Sequence, residues 1–149
     1  MSEITQVLRL LDREIWLLTA DDGTRRAGLI TTSVNDASIG PDAPRITVGI
    51  AKQHHTWPVL ESSRAFHLSL LDESQLDVVW HFGLQSGHHV DKFATPPWIE
   101  PVAWLECKVE ASMDTGDRIF YLAEITAGKI ERQTRPLTMK RLLELAPPD

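Results

Sequence analysis

Stretches in which apolar and polar residues alternate run through most of the chain, and this two-residue period predicts β-strands. In the segment from Arg45 to Ala51, for example, Ile46, Val48 and Ile50 lie on one side. Turn residues separate several of these stretches, as in Asp21-Asp22-Gly23-Thr24, so consecutive strands are expected to pair as antiparallel hairpins. Six strands are predicted: Ile15 to Thr19, Arg26 to Ser33, Arg45 to Ala51, Ala65 to Leu71, Ala103 to Ala111 and Arg118 to Ile130.

A helical period occurs in shorter segments. The opening one carries apolar residues on a broad face and is expected to end near Asp12. In the second, Thr56 is expected to cap the helix ahead of Trp57 and Pro58. The third places Leu76, Val79 and Trp80 inward. The predicted helices are Ile4 to Leu11, His55 to Ser62, Glu73 to Phe82 and Thr138 to Leu145.

Two segments show neither period and are predicted to be loops. Asn35 to Pro44 collects Asn, Asp, Ser, Gly and two prolines. Gly83 to Pro101 is longer, and loops of that length are usually functional or disordered.

The order of these elements predicts a mostly β fold (β-rich α+β), in which antiparallel strands form a barrel or sheet with a few short helices around it. The 149 residues are the length of one domain, so residues 1–149 are expected to fold as a single unit. A chain of this length buries roughly 70% of its unfolded surface and needs no covalent staple.

Charge and composition exclude several kinds of partner. Fifteen basic against 21 acidic residues give a net charge of −6, with −3 on each side of residue 75 (7 against 10, then 8 against 11). Nucleic acid is therefore an unfavourable partner, because its binding needs a basic patch. No apolar run reaches the length of a membrane span, and acidic residues interrupt the first apolar stretch, unlike a secretory signal. A soluble protein with no membrane partner is expected, and the single Cys107 fits the reducing cytoplasm.

Hydroxyl groups cluster where the second predicted strand ends, in Thr31-Thr32-Ser33-Val34. Hydroxyls and free backbone amides at a strand end can hydrogen-bond a polar heterocycle or a phosphate. The alternative is that threonine simply favours strands and that Ser33 begins a turn.

A second candidate lies between the third strand and a predicted helix, in Lys52-Gln53-His54-His55-Thr56. A cation and a hydroxyl at a helix start can hold a phosphate, because free N–H groups and the helix dipole favour an anion there. The alternative is a solvated loop with a helix cap.

Other polar and aromatic residues are less informative. The adjacent pairs His54-His55 and His88-His89 argue against a metal site, since neighbouring side chains point apart. His67 is out of phase with its apolar neighbours and is expected to face solvent or a partner subunit. Cys107 is in phase with Leu105 and Val109 and is predicted to lie in the core. Of the five tryptophans, Trp57 and Trp98 are the candidates for lining a cleft.

Taken in order, these segments resemble the flavin reductase-like family, whose fold is an FMN-binding split β-barrel. The resemblance covers Val7 to about Ile130 and implies an antiparallel split barrel with short peripheral helices. Its motifs are Gly28 to Val34, Ala43 to Val48, Lys52 with His55-Thr56, Phe66 to Leu71, Asp91-Lys92-Phe93, Leu105-Glu106-Cys107 and Gly116-Asp117.

The resemblance implies a flavin at a homodimer interface, FMN or alternatively FAD. Three sets of residues are implied to contact it. Thr31, Thr32, Ser33 and Val34 would lie near the ring or ribityl chain, Lys52, His55 and Thr56 near the phosphate, and Lys92 at a further contact. A phosphate needs cations and N–H donors, particularly in an acidic protein.

Two departures from the family pattern bear on activity. Many such reductases have histidine after the Gly-Asp turn, on the nicotinamide side, where this chain has Arg118, and His55 stands where serine is commoner. The leading hypothesis is an FMN-dependent oxidoreductase that takes hydride from NADH or NADPH onto flavin N5. It would then reduce a partner monooxygenase, oxygen or another small acceptor. The alternatives are a flavin-binding electron carrier that does not use nicotinamide, and a split barrel used for protein association.

Overall fold

The computed structural model describes residues 2–83, 92–94 and 96–145. Over these residues the chain forms seven strands and four α-helices. The strands are β1 (Trp16–Asp21), β2 (Arg26–Thr31), β3 (Val34–Asp36), β4 (Arg45–Ala51), β5 (Ala65–Leu70), β6 (Ala103–Asp114) and β7 (Arg118–Ile130). The α-helices are α1 (Glu3–Leu8), α2 (Thr56–Ser63), α3 (Leu76–Gly83) and α4 (Met139–Leu143), and a 3-10 turn, Glu73–Gln75, precedes α3.

The strands join one antiparallel sheet in the order β2-β1-β5-β6-β7-β4-β3. Its two outermost strands, β2 and β3, follow each other in the chain and are separated only by Thr32 and Ser33. Three Cα–Cα steps span at most about 11 Å, so the adjoining ends of these strands lie close together and the sheet curls. The predicted mostly β, antiparallel split-barrel fold with short peripheral helices is confirmed.

The sheet separates two apolar clusters, and β1 supplies both because its side chains alternate. Leu18 lies in the inner cluster and Leu17 in the outer one. Helix α2 closes the inner cluster by burying Val59 and Leu60 completely. Full burial of each such side chain stabilises the folded chain by roughly 1.5–3 kcal/mol. The outer cluster lies under α3, which contributes Val78, Val79 and Phe82.

The loop predicted from Asn35 to Pro44 begins two residues too early. Val34–Asp36 forms β3, which pairs with Val48, Thr47 and Ile46 of β4. The backbone N–H of Ala37 continues this pairing by donating to the Arg45 carbonyl (2.8 Å). Three residues are too few to show an alternating pattern, so only the pairing with β4 reveals this strand.

The first two predicted helices have different ends in the structure. Helix α1 stops at Leu8, and tighter backbone turns continue it to Leu11. Its apolar residues stay exposed, since α1 buries none of them. In α2 the capping position belongs to His55, which makes no side-chain cap bond, while Thr56 is the first helical residue and is buried. The prediction that Thr56 caps this helix is therefore wrong, because the core takes up its side chain.

The third predicted helix is divided in two. Asp72 caps the 3-10 turn by accepting from the Ser74 N–H (3.0 Å), and α3 follows. Val79 is buried as predicted, whereas Leu76 and Trp80 are only partly buried against the outer cluster. At the other end of the chain Thr138 caps α4 by accepting from the Arg141 N–H.

The hairpin of β6 and β7 is longer than predicted on its first strand, which continues to Asp114. Its turn contains Gly116 at φ +113°, a conformation that favours glycine. The Gly116 N–H donates to Asp114 Oδ1 (2.8 Å) and fixes the turn.

In the part of the chain described, no helix is long and apolar enough to span a membrane. His88, His89 and Asp91, in the loop predicted from Gly83 to Pro101, lie outside the described residues.

Candidate functional site

The hydroxyl-rich end of β2 leads directly into β3, the strand next to β4. Thr31 is buried, and its Oγ1 accepts from the Ser33 N–H (3.1 Å). The Ser33 carbonyl in turn accepts from the Gly49 N–H (3.0 Å), and Val34 pairs with Val48. The segment Thr31–Val34 therefore joins β2 to β3 and lies against the second half of β4.

The end of β4 is fixed by the β6–β7 hairpin. Ala51 pairs with Arg118, and the Lys52 N–H donates to the Asp117 carbonyl (3.0 Å). The Lys52 ammonium donates to Asp114 Oδ2 (2.7 Å), and this bond holds the pKa of the Asp114 carboxyl below its usual value. Lys52 is thus a partly exposed cation at a defined place beside the turn.

Helix α2 begins four residues after Lys52. The backbone N–H of Trp57 donates to the His54 carbonyl (3.1 Å), while the side chain of His55 does not cap the first turn. N–H groups in the first turn of a helix attract an anion, and the positive end of the helix dipole adds to this effect. The loop from Lys52 to Thr56 thus combines a cation with a helix start.

The structure brings most of the sequence-predicted site residues to one end of β4. Ser33 lies beside Gly49. Gly49 precedes Lys52 by three residues, and three residues of strand span about 10 Å. Arg118 is opposite Ala51 on the other neighbouring strand and is exposed. The remaining members of this group follow along the chain: Thr31, Thr32 and Val34 from β2 into β3, and His55 and Thr56 at α2.

Lys92 lies elsewhere, on the outside of β2. The residue is only 7% exposed, and Nζ donates to the carbonyls of Phe82 (2.8 Å) and Gly28 (3.1 Å). Burial lowers the pKa of Lys92. A lysine near the last carbonyls of a helix stabilises that helix end, here the end of α3. The contact between Lys92 and a cofactor that the family resemblance implies stays a prediction.

Comparison with known proteins decides the family. A family model described as "Flavin reductase like domain" matches residues 8–142. The chain belongs to the flavin reductase-like family. This agrees with the resemblance found in the sequence motifs.

Individual flavin reductase-like relatives differ considerably in sequence. The chain is 28% identical over 146 residues to high molecular weight rubredoxin of Moorella thermoacetica, covering 90% of this chain and 63% of that protein. The chain thus spans less than two thirds of the length of this relative.

Two solved structures share the fold. The NADH:FAD oxidoreductase of Streptomyces globisporus has a TM-score of 0.79 at 20% identity, covering 91% of this chain and 88% of the other. The styrene monooxygenase flavin reductase of Pseudomonas putida has a TM-score of 0.77 at 24% identity and 92% coverage of both chains.

Gly49 is a residue of the candidate site that the sequence patterns did not single out. A Cβ on Gly49 would lie 2.7 Å from Ser33 Oγ and 2.8 Å from the Phe120 ring. Gly49 thus allows Ser33 and Phe120 to approach β4 together. Its place in the alternating segment from Arg45 to Ala51 is a signal, since glycine inside a strand often marks a close approach.

Two tryptophans are predicted to line a cleft, and this stays a prediction. Trp57 is partly buried and packs against the inner cluster, as Val34 does. Trp98 is 81% exposed. Within the described residues, no group of three or more His, Cys, Asp or Glu side chains is placed to hold a metal ion.

A cleft of about 350 Å³ lies across β2, β1, β5 and β6, on residues other than those at the end of β4. Its lining includes Thr19, Asp21, Arg26, His67, Phe93 and Glu106. His67 Nδ1 lies 2.6 Å from Glu106 Oε1, and the imidazole stacks on Trp104. The strand pattern predicts that His67 lies on the polar side of β5, but the cleft itself depends on the register of four strands.

Cys107 lies in the inner cluster, as predicted. Burial raises the pKa of its thiol to about 12, and the neighbouring Glu106 adds to the effect. A thiol in this environment is not a nucleophile at neutral pH.

Proposed function

We propose that this chain binds a flavin at the end of β4 and transfers electrons through it. The observation that carries the proposal is that two segments separate in sequence both meet the end of β4: Ser33 accepts from Gly49 on the strand, and the loop from Lys52 to Thr56 follows directly after it. The first offers hydroxyls and backbone groups for a polar ring, and the second offers a cation and a helix start for a phosphate.

The residues present fit FMN in particular. Lys52 is a cation in a protein of net charge −6, and the first turn of α2 has no side-chain cap. A phosphate that docks there would compete with Asp114 for the Lys52 ammonium or share it, since these two side chains form an ion pair. FAD is the alternative, because a structurally similar enzyme, from Streptomyces globisporus, is an NADH:FAD oxidoreductase.

For the reaction, the proposal is hydride transfer from NADH or NADPH to the flavin. The flavin supplies the redox chemistry when bound, while the chain binds and orients both molecules. Arg118 is exposed at the start of β7, next to the end of β4, and its guanidinium can hold an anionic group of a dinucleotide.

The second candidate function is a flavin-binding electron carrier that does not use nicotinamide. Arg118 favours it, because a guanidinium only donates hydrogen bonds, whereas the imidazole of the histidine found here in many related reductases can also accept one. Oxidation of NADH and NADPH by the flavin-loaded protein separates the two functions. Hydride transfer predicts turnover with one of them, whereas the carrier predicts a coloured protein that oxidises neither.

The assembly and location are also proposals. Family resemblance supports a single domain over residues 1–149 and a homodimer whose interface completes the flavin site, and a single cysteine per chain supports the cytoplasm. A partner monooxygenase is proposed as the electron acceptor because a similar solved structure is the reductase of styrene monooxygenase, with a small molecule as the alternative acceptor.

The test of the site compares FMN with riboflavin, which lacks the phosphate. Replacing Lys52 and Thr56 together by alanine should weaken FMN binding by about tenfold or more, because each charge-assisted contact contributes roughly 1.5–3 kcal/mol. Riboflavin binding should change by less than about threefold, and fluorescence quenching on titration measures both. Lys129→Ala, at an exposed lysine near the end of β7, is the control. Equal losses for the two ligands would refute the phosphate assignment.

A further inference from the structure

The phenol of Tyr121 lies inside the curled sheet, on β7. Its side chain is fully buried in the inner cluster, opposite Val48 of β4. The phenol donates to Glu61 Oε1 (2.5 Å) on α2. Burial raises the pKa of Tyr121, and the bond to Glu61 adds to the effect, so the phenol keeps its proton. A hydrogen bond of this kind inside an apolar core fixes the orientation of the two side chains that it joins and also contributes to stability.

On α2, two residues one helical turn apart lie near the Tyr121 phenol. Trp57 and Glu61 stand at positions i and i+4, which lie on one face of a helix. The buried indole N–H of Trp57 lies near the same phenol and opposes the rise in its pKa. Tyr121 therefore contacts the beginning and the later part of one face of α2, and so sets both the position and the rotation of the helix.

The loop before α2 is held by the same hairpin. The Lys52 N–H donates to the Asp117 carbonyl and its ammonium to Asp114, at the turn that leads into β7. The segment from Lys52 to Thr56 is thus fixed at one end by the β6–β7 turn and at the other by Tyr121 through α2. The bond of Lys52 is direct, and that of α2 is made five residues after Thr56, at Glu61.

We infer that Tyr121 is a positioning residue for the phosphate of the bound flavin, acting through Glu61 to hold the first turn of α2 against Lys52. This inference rests on the proposed function. Tyr121 does not touch the ligand in this role. The Trp57 N–H donates to the His54 carbonyl and Pro58 has no N–H, so the donors that Tyr121 aligns are the N–H and hydroxyl of Thr56. Alignment matters there because hydrogen bonds weaken steeply when their angle is poor.

The experiment uses Tyr121→Phe, which removes one oxygen and keeps the ring in the core. FMN binding should weaken by about tenfold, while riboflavin binding should stay within about twofold of the unaltered chain. Two variants of Glu61, the exposed partner in this hydrogen bond, test the same bond without altering the core. Glu61→Gln keeps an acceptor and should retain nearly full FMN affinity, whereas Glu61→Leu should reproduce the loss.

Cys107→Ala is the control for a general loss of stability, since Cys107 lies in the same cluster on β6. It should lower the melting temperature without separating FMN from riboflavin. Equal loss of both ligands in Tyr121→Phe, or no difference between the two Glu61 variants, overturns the positioning role while leaving flavin binding intact. If the unaltered chain binds neither ligand, the proposed function itself fails and this inference fails with it.

Discussion

Ser33 and Gly49 are in contact through both backbone and side chain. The Gly49 N–H donates to the Ser33 carbonyl (3.0 Å), and Ser33 Oγ occupies the space that a Cβ on residue 49 would need, at 2.7 Å. This contact joins the segment after β2 to the second half of β4. It therefore fixes one half of the proposed flavin site, Thr31–Val34, against the strand from which the other half begins.

Gly49→Ala should lower the stability of the chain by about 1–3 kcal/mol, because the added methyl group overlaps both Ser33 and the ring of Phe120. Chemical denaturation measures this loss. Gly40→Ala is the matched control, since a Cβ at that position would have no other atom within 4 Å. A loss of the same size in both variants would show that the close approach at Gly49 has no special effect.

Lys92→Met should destabilise the chain by about 1–3 kcal/mol, since the carbonyls of Gly28 and Phe82 each lose a donor. If Lys92 acts only as this anchor, FMN affinity of the folded variant should stay within about threefold. Thermal melting and FMN titration together measure the two effects, with Lys108→Met at an exposed lysine as the control. Loss of FMN affinity without loss of stability would instead favour the direct contact that the family resemblance implies.

Asp72 should make stability depend on pH in the acid range. Arg132 Nη1 donates to Asp72 Oδ2 (2.7 Å), and with Ser74 and Thr134 it holds the pKa of this carboxyl well below its usual value. A depressed pKa in the folded state means that the stabilisation is complete above the unfolded pKa and is lost as the pH falls towards the folded one.

Asp72→Asn should therefore cost about 2 kcal/mol near neutral pH, and the difference from the unaltered chain should shrink as the pH falls below about 4. Urea denaturation at a series of pH values measures it. Asp42→Asn, in an exposed loop, is the control. A constant difference between Asp72→Asn and the unaltered chain across this range would contradict the assignment.

Cys107 should be inert in the folded chain. With its pKa raised to about 12, only about one thiol in ten thousand is ionised at pH 8, and the side chain is buried. A chromogenic disulfide reagent should report no reactive thiol in buffer and one per chain in guanidinium. Rapid reaction in buffer would show that β6 opens to solvent or that the thiol is less buried than the structure places it.

Most strands of this fold were predictable because alternation persists wherever one face of a strand is apolar, as in Ile46, Val48 and Ile50. The same pattern did not reveal β3, whose three residues show no period, or the end of α1, whose apolar residues stay exposed. The prediction that Thr56 caps α2 is wrong for a similar reason, since a threonine at a helix start serves equally as a cap or as a small buried side chain.

The proposed site was predictable in its segments but not in its contacts. Threonine and serine at a strand end, and lysine before a helix, are local signals. The bonds between Ser33 and Gly49 and between Tyr121 and Glu61 join residues 16 and 60 positions apart, so they depend on how the sheet curls. The burial of Lys92 was not predictable either, because backbone carbonyls that receive its ammonium leave no trace in side-chain patterns.

The order of the sheet also bears on aggregation. An outermost strand presents unpaired backbone groups that can recruit another chain. Here one such strand, β3, has only three residues and ends at Asp36, which leaves little template for strand addition. On the other, β2, the buried ammonium of Lys92 engages the Gly28 carbonyl, and the ring of Phe82 covers the same glycine. Edge-to-edge association is thus limited at one edge of the sheet because β3 is short, and at the other because the Lys92 side chain occupies a backbone carbonyl of β2.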